Sequence, residues 1–301
     1  MKKLVLLLCA VFCMTAICAE IDTDNLDYEQ KLILVKALRC EVADNYRGAA
    51  KCYAKLFKRL HKVSDKAACK QCEADCWFEA NKTHRASEAY RYLVRNYGLY
   101  VPFDEVVPKL RELAECYEKG KGTFLWLADR DNAIRMYNMI LLEAPAIHSS
   151  LADRIRVGEL YLKDRKKAEA VAVYQEILKL DDSQDDIRLQ MSKVLVEMSR
   201  QGDGDGSIRR AAARNAQLIL ERNPNYAHKD EVELILAETE EVEARNLLAL
   251  GKFYLRRSHY SAKAARMYLL DLASKYPNSR AAWEGNALLA KIPEEKASEQ
   301  K

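Results

Sequence analysis

The sequence predicts an all-α chain, an α-solenoid of about six stacked helical hairpins closed by a C-terminal capping helix. Three observations predict it. The first is the stretch Val157 to Asp182, which sets Gly158 and Tyr161 on one helix and Ala170, Tyr174 and Leu178 at four-residue steps on a second. Small residues there let two backbones approach, and the aromatic and aliphatic ones fill the seam. The second is recurrence, because the small-then-large pair returns as Ala49 with Tyr53, Ala86 with Tyr90, Ala133 with Tyr137, a degenerate Ala212 with Ala216, and Ala264 with Tyr268. The third is punctuation. Pro145, Pro224 and Pro277 each fall just past a second helix, where a missing amide donor ends the hairpin.

Each second helix has an upstream partner. Ile33, Ala37 and Cys40 mark the first, Ala74 and Trp77 the second, and Leu113, Ala114 and Tyr117 the third. Ile187, Met191, Val194 and Leu195 mark the fifth, and Leu250, Gly251 and Tyr254 the sixth. A hairpin of this size cannot bury its apolar face alone, so the copies must stack. The step is 37 residues from Ala49 to Ala86 and again from Ala133 to Ala170, but 47, 42 and 52 across the other three intervals. Insertions account for the longer steps, and two are placed by their glycines, at 118–124 and 200–207. Past Pro277, the run with Ser279, Trp283, Ala287 and Leu288 is the expected closing helix.

The ends read differently. Residues 1–19 carry Lys2 and Lys3, an apolar run from Leu4 to Cys13 and small residues up to Ala19, the pattern of a secretory signal. Cys18 follows Ile17 rather than a small residue, so its lipidation is left open. The expected organisation is a signal peptide at 1–19, a solenoid at 20–293 and a charged flexible tail at 294–301. The lysine-led signal looks bacterial, which places the expected chain in the periplasm or on the periplasmic face of the outer membrane. No later apolar run is long enough to span a bilayer, so peripheral attachment is the membrane association compatible with the sequence.

Composition excludes several classes. With 49% apolar and 31% charged residues the chain can bury a core and is not disordered by composition. Ten glycines and six prolines are too few for an all-β chain of many tight turns. The net charge of +4 falls to +2 when Lys2 and Lys3 leave, which does not call for nucleic acid.

Six cysteines follow the signal, and Cys69, Cys72 and Cys76 share one helical face. One reading is small buried residues, with one or two disulfides joining hairpins in an exported chain. The other is a metal or redox module on Cys69, Cys72 and Cys76, with Cys40 or Cys116 as a fourth ligand. Asp203 and Asp205 in the glycine-rich loop suggest calcium, but the twelfth position counted from Asp203 is Arg214, so a turn capped by Ser207 is expected. His61, His84, His148, His228 and His259 are scattered, and no phosphate-binding Gly-Lys-Ser/Thr follows Gly122. Neither a cofactor nor an enzymatic activity is expected.

The small residue and tyrosine on the first helix, with Ala-x3-aromatic on the second, resemble the tetratricopeptide repeat over residues 30–290. Two blocks, one running from Ala133 to Leu180 and one from Ala244 to Leu289, are similar to the outer-membrane β-barrel assembly lipoprotein family of the BamD type. The second carries Phe253, Tyr254 and Leu255, then Tyr260, Ala264, Ala265 and Arg266, then Tyr276 and Pro277. The resemblance implies a non-enzymatic adaptor whose first helices line a groove for a protein or peptide partner, an envelope protein in this compartment. Carried over from Gly158 and Gly251, that phase points to Glu159, Lys163, Lys252 and Arg256, and in earlier hairpins to Asp75, Glu79, Arg111 and Glu115. Their mixed signs suit a protein partner.

Overall fold

The computed structural model describes residues 21–200, 202 and 206–292. The expected signal at 1–19, Asp203 and Asp205, and the tail at 294–301 lie outside the described residues. Among the described residues there are thirteen α-helices, five short 3-10 turns and no strand, and no helix is long and apolar enough to cross a membrane. The expected fold class is met. The chain divides into two compact units, Met1–Val173 and Tyr174–Lys301.

The first unit is built from α1 (Tyr28–Val42), α2 (Tyr46–Phe57), α3 (Val63–Glu79), α4 (Thr83–Tyr97), α5 (Phe103–Glu118), α6 (Arg130–Glu143) and α7 (Leu151–Lys163). Each helix packs on its sequence neighbour, giving the hairpins α1/α2, α3/α4 and α5/α6. The expected phase holds: Ala49, Tyr53, Ala86, Tyr90, Ala133 and Tyr137 are all buried, as are Ala74, Trp77, Leu113, Ala114 and Tyr117. Leu56, Leu93 and Leu110 join them in one continuous apolar core, each leucine contributing about 2 kcal/mol by leaving water. Local chemistry sets the helix starts. Asp27 and Gln30 form a capping box on α1, Asn45 caps α2, Asp129 caps α6, and Ser150 with Asp153 forms a second capping box on α7.

The unit boundary falls inside α8 (Lys167–Leu180), where Ala170, Tyr174 and Leu178 are all buried. The second unit continues with α9 (Asp185–Ser199), α10 (Ser207–Arg222), α11 (Lys229–Tyr254), α12 (Ala262–Lys275) and α13 (Arg280–Leu289). Gly206, not Ser207, takes the N-cap position of α10, at φ 73°. α9 packs on α10, and α11 packs on α10, α12 and α13.

The 52-residue step is taken up within a hairpin by α11, one helix of 26 residues, which buries Val232 and Ile235 in its first half and Ala244, Leu248 and Gly251 in its second. Two expectations are corrected here. In the sixth hairpin the buried column is Ala265 and Leu269, one residue past Ala264 and Tyr268, and Leu250 faces solvent. Leu269 explains the slip. A Cβ on Gly251 would stand 2.6 Å from its Cδ2, so the leucine packs directly on the glycine backbone. Tyr268, displaced to the margin, stacks on Tyr254 at 5.7 Å. The closing helix α13 is present, capped by Ser279, but its inward face is Ala281, Ala282 and Gly285, while Trp283 is 76% exposed.

Candidate functional site

The first helices of the first unit are tied to one another by polar side chains. Cys76 on α3 donates its Sγ proton to Glu41 on α1 at 3.2 Å. Gln71 on α3 reaches Glu105 on α5 at 3.0 Å, and Lys109 on α5 reaches the Oδ1 of Asp75 on α3 at 2.5 Å. Between α5 and α7, Arg111 grips Asp153 with Nε at 2.9 Å and a terminal nitrogen at 2.8 Å, and Arg156 takes Glu118 in the same two-pronged way. These contacts form a ladder along the first-helix side, each rung joining one hairpin to the next.

The ladder decides what the expected groove residues do. Asp75 is a correction. It is only 3% exposed, accepts the hydroxyl proton of Tyr90 as well as the Lys109 ammonium, and is a structural anchor rather than a surface a partner can touch. Burial, and then Asp75 itself, raise the Tyr90 hydroxyl far above the ordinary phenol range. Arg111 is likewise committed to Asp153 and to the His148 carbonyl. Burial alone would raise the Asp153 carboxyl, but the bonds from Arg111 and Ser150 outweigh it and hold the group below the ordinary aspartate value. Glu115 is paired on its own helix with Lys119 at 2.7 Å, and Glu159 with Arg156 at 2.6 Å. Glu79 and Lys163 are exposed. The part of the expected site available to a partner in this unit is therefore Glu79, Glu115, Glu159 and Lys163.

In the second unit Lys252 is exposed and pairs with Glu284 on α13 at 2.5 Å. Arg256 is exposed but stands past the end of α11 at Tyr254, so it belongs to the turn into α12 and not to a helix face. This unit also joins its elements through polar contacts. The Tyr226 hydroxyl donates to Asp186 on α9, and the Tyr276 hydroxyl to Glu243 on α11. Burial, with Glu243 beside it, pushes Tyr276 up to about 12.

The cysteines follow the small-residue reading. Cys69, Cys72 and Cys76 are buried in the core, and the Cys69 thiol points to the Tyr53 carbonyl at 3.2 Å while Cys76 points to Glu41. Cys69 thus faces α2 and Cys76 faces α1. Among the described residues no group of three or more His, Cys, Asp or Glu side chains comes together to hold a metal. Burial first, and then the neighbouring Cys40, raise the Cys52 thiol.

The ladder is what the sequence reading missed. Its signal was opposite charge or donor and acceptor separated by about one repeat: Asp75 and Lys109 are 34 residues apart, Glu118 and Arg156 are 38, and Arg111 and Asp153 are 42.

No protein-family model matches the chain, and no curated protein does. Among solved structures, it is similar to the C-terminal part of a TPR repeat-containing protein from Cytophaga hutchinsonii, with 11% identity over 94% of this chain and 95% of that one, at a TM-score of 0.35. A tetratricopeptide repeat protein from Parabacteroides merdae aligns at 14% identity over 88% of this chain and 100% of its own, with a TM-score of 0.32. PilF from Pseudomonas aeruginosa aligns at 16% identity over 86% and 97% of the two chains, with a TM-score of 0.28. The helical-hairpin architecture stated above stands on this chain's own helices and contacts.

Proposed function

We propose that the protein is a non-enzymatic scaffold of the tetratricopeptide type that acts after export. It docks a protein or peptide segment of an envelope partner, with a role in the assembly of outer-membrane proteins. The observation that carries the reading is the first-helix side of the first unit. There the ladder consumes the inner charges and leaves Glu79, Glu115, Glu159 and Lys163 as a mixed-sign surface on a rigid support. The lysine-led apolar leader at 1–19 supports export, and the block from Ala244 to Leu289 supports the narrower assembly role.

The test is crosslinked capture from the native envelope with the wild-type chain, Lys163→Glu and a Glu115→Lys/Glu159→Lys double variant. The double variant isolates Arg156 from Glu159 but leaves its grip on Glu118, so the helical melt should hold. The expected result is one partner whose yield falls severalfold in both variants. Equal capture by all three chains would remove this surface from consideration.

A further inference from the structure

One edge of the first unit carries two features that the partner-docking reading does not use. The first is a basic pocket lined by Arg47 and Lys51 on α2, Trp77 on α3, Lys82 at the start of α4 and Arg85 in its first turn. The Arg85 guanidinium lies 4.6 Å over the Trp77 ring. Among the described residues none of these four cations is paired with a carboxylate. This is unusual in a unit whose other basic side chains are so often matched: Arg111 with Asp153, Arg156 with Glu118, Lys109 with Asp75, and Lys166 with Asp131. Four uncompensated cations around one hollow repel one another unless an anion joins them.

The second feature is the connection 119–129 between α5 and α6. Leu125, Trp126 and Leu127 are 68%, 79% and 64% exposed in succession. Leu125 and Trp126 both sit in the left-handed region, at φ 53° and 58°, which bulky side chains disfavour and which persists only where the surroundings enforce it. Three hydrogen bonds enforce it here. Thr123 donates its hydroxyl to the Leu127 carbonyl at 2.7 Å, the Asp129 amide donates to Tyr117 at 2.8 Å, and the Thr83 hydroxyl donates to the Lys121 carbonyl at 3.0 Å. A Cβ on Gly122 would stand 2.4 Å from the Thr83 hydroxyl, so the connection is seated directly on the turn that carries Lys82. The backbone is fixed to the unit through Lys121 and Gly122, which rest on Thr83 next to Lys82 of the basic pocket, while the apolar side chains of Leu125, Trp126 and Leu127 are exposed and Leu127 borders a separate hollow with Asp129, Arg130 and Asp131. Lys121 adds another exposed cation that makes no ion pair among the described residues.

We infer that this edge docks on an anionic phospholipid surface, with Leu125, Trp126 and Leu127 entering the headgroup boundary and Arg47, Lys51, Lys82 and Arg85 taking lipid phosphates. A nucleic acid would satisfy the cations and leave two leucines and a tryptophan in water. An apolar protein pocket would cover the connection and leave the four cations unmatched. A bilayer carrying anionic lipid satisfies both at once: tryptophan prefers the interface, leucine the acyl boundary, and lysine and arginine the phosphate plane. The inference does not depend on the partner-docking reading, since it uses different residues.

The test is sedimentation with vesicles of phosphatidylcholine alone and of phosphatidylcholine mixed with phosphatidylglycerol. The full chain and a chain without residues 1–19 are both measured, so that the apolar run Leu4–Cys13 cannot stand in for the edge. The expected result is binding to the mixed vesicles that weakens with added salt, falls about fivefold for each cation removed in Lys82→Gln and Arg85→Gln, and falls about tenfold in Trp126→Ser. Trp126→Phe should retain binding but lose most of the fluorescence quenching caused by bromine-labelled lipid. No binding by the wild type, equal binding to neutral vesicles, or unchanged binding in both the charge and the Trp126 variants would overturn the inference. Trp126 and Arg85 are exposed, so unchanged helical melts will accompany a true loss of docking.

Discussion

The two units apply the same hairpin logic with different tolerances. In the first, each second helix places an alanine and an aromatic at four-residue steps against its partner, and polar rungs from α1 to α7 repeat at close to the hairpin period. In the second, a single long helix packs on α10, α12 and α13, the small-residue column of α12 shifts by one position, and the tyrosine hydroxyls of Tyr226 and Tyr276 join the ion pairs Lys193 with Glu231 and Arg200 with Glu238 in tying the elements. Stacking needs a close approach and a filled seam, not a fixed spelling. Where Gly251 lets Leu269 settle on bare backbone, the leucine becomes the seam and the tyrosine moves to its margin.

The largest expected effect tests the shifted column. Ala265→Glu should bury an unpaired carboxylate and cost several kcal/mol, while Ala264→Glu, whose side chain can reach water, should cost less than about 1 kcal/mol. Urea melts of the two variants distinguish the registers, and equal losses would restore the unshifted one. Next comes the ladder. Arg111→Ala leaves the buried Asp153 without its partner and should destabilise the first unit by about 2–3 kcal/mol, with no counterpart in the second. A melt probed by unit-specific hydrogen exchange checks this, and uniform loss across both units would count against separate supports.

The smallest effect is in acid. Asp153 is held below its ordinary value of 3.8, so the stability it contributes is complete above that pH and is lost as pH falls through the lower folded value. The first unit should therefore lose protection as pH drops below 3.8, and Asp153→Asn, weaker at neutral pH, should have a flatter acid limb. An unchanged limb in that variant would assign acid sensitivity elsewhere.

Legibility in the sequence followed the range of the interaction. The helix pairs were readable because Ala49 with Tyr53 and Ala86 with Tyr90 encode a seam within four residues. The register of α12 was not, since Ala264 and Ala265 are both small and Tyr268 and Leu269 both large, and only the facing Gly251 decides between them. Of the candidate docking residues, Asp75 and Arg111 lay on the expected side of their helices but turned out to be consumed by Tyr90, Lys109 and Asp153. That outcome depends on how one hairpin leans on the next, which no local pattern records. The outward turn of Leu125 and Trp126 was equally hidden, because left-handed backbone at bulky residues has no spelling of its own.

The habit of the helices from α1 to α7, and again from α9 to α13, to pack on their sequence neighbours bears on how the chain comes to be built. Native contacts are mostly short-range along the polypeptide, so little loop-closure entropy stands between the extended chain and its first stable pieces. A polypeptide delivered end-first, from a ribosome or through a translocation channel, can set down one hairpin as a template for the next before its far end has emerged.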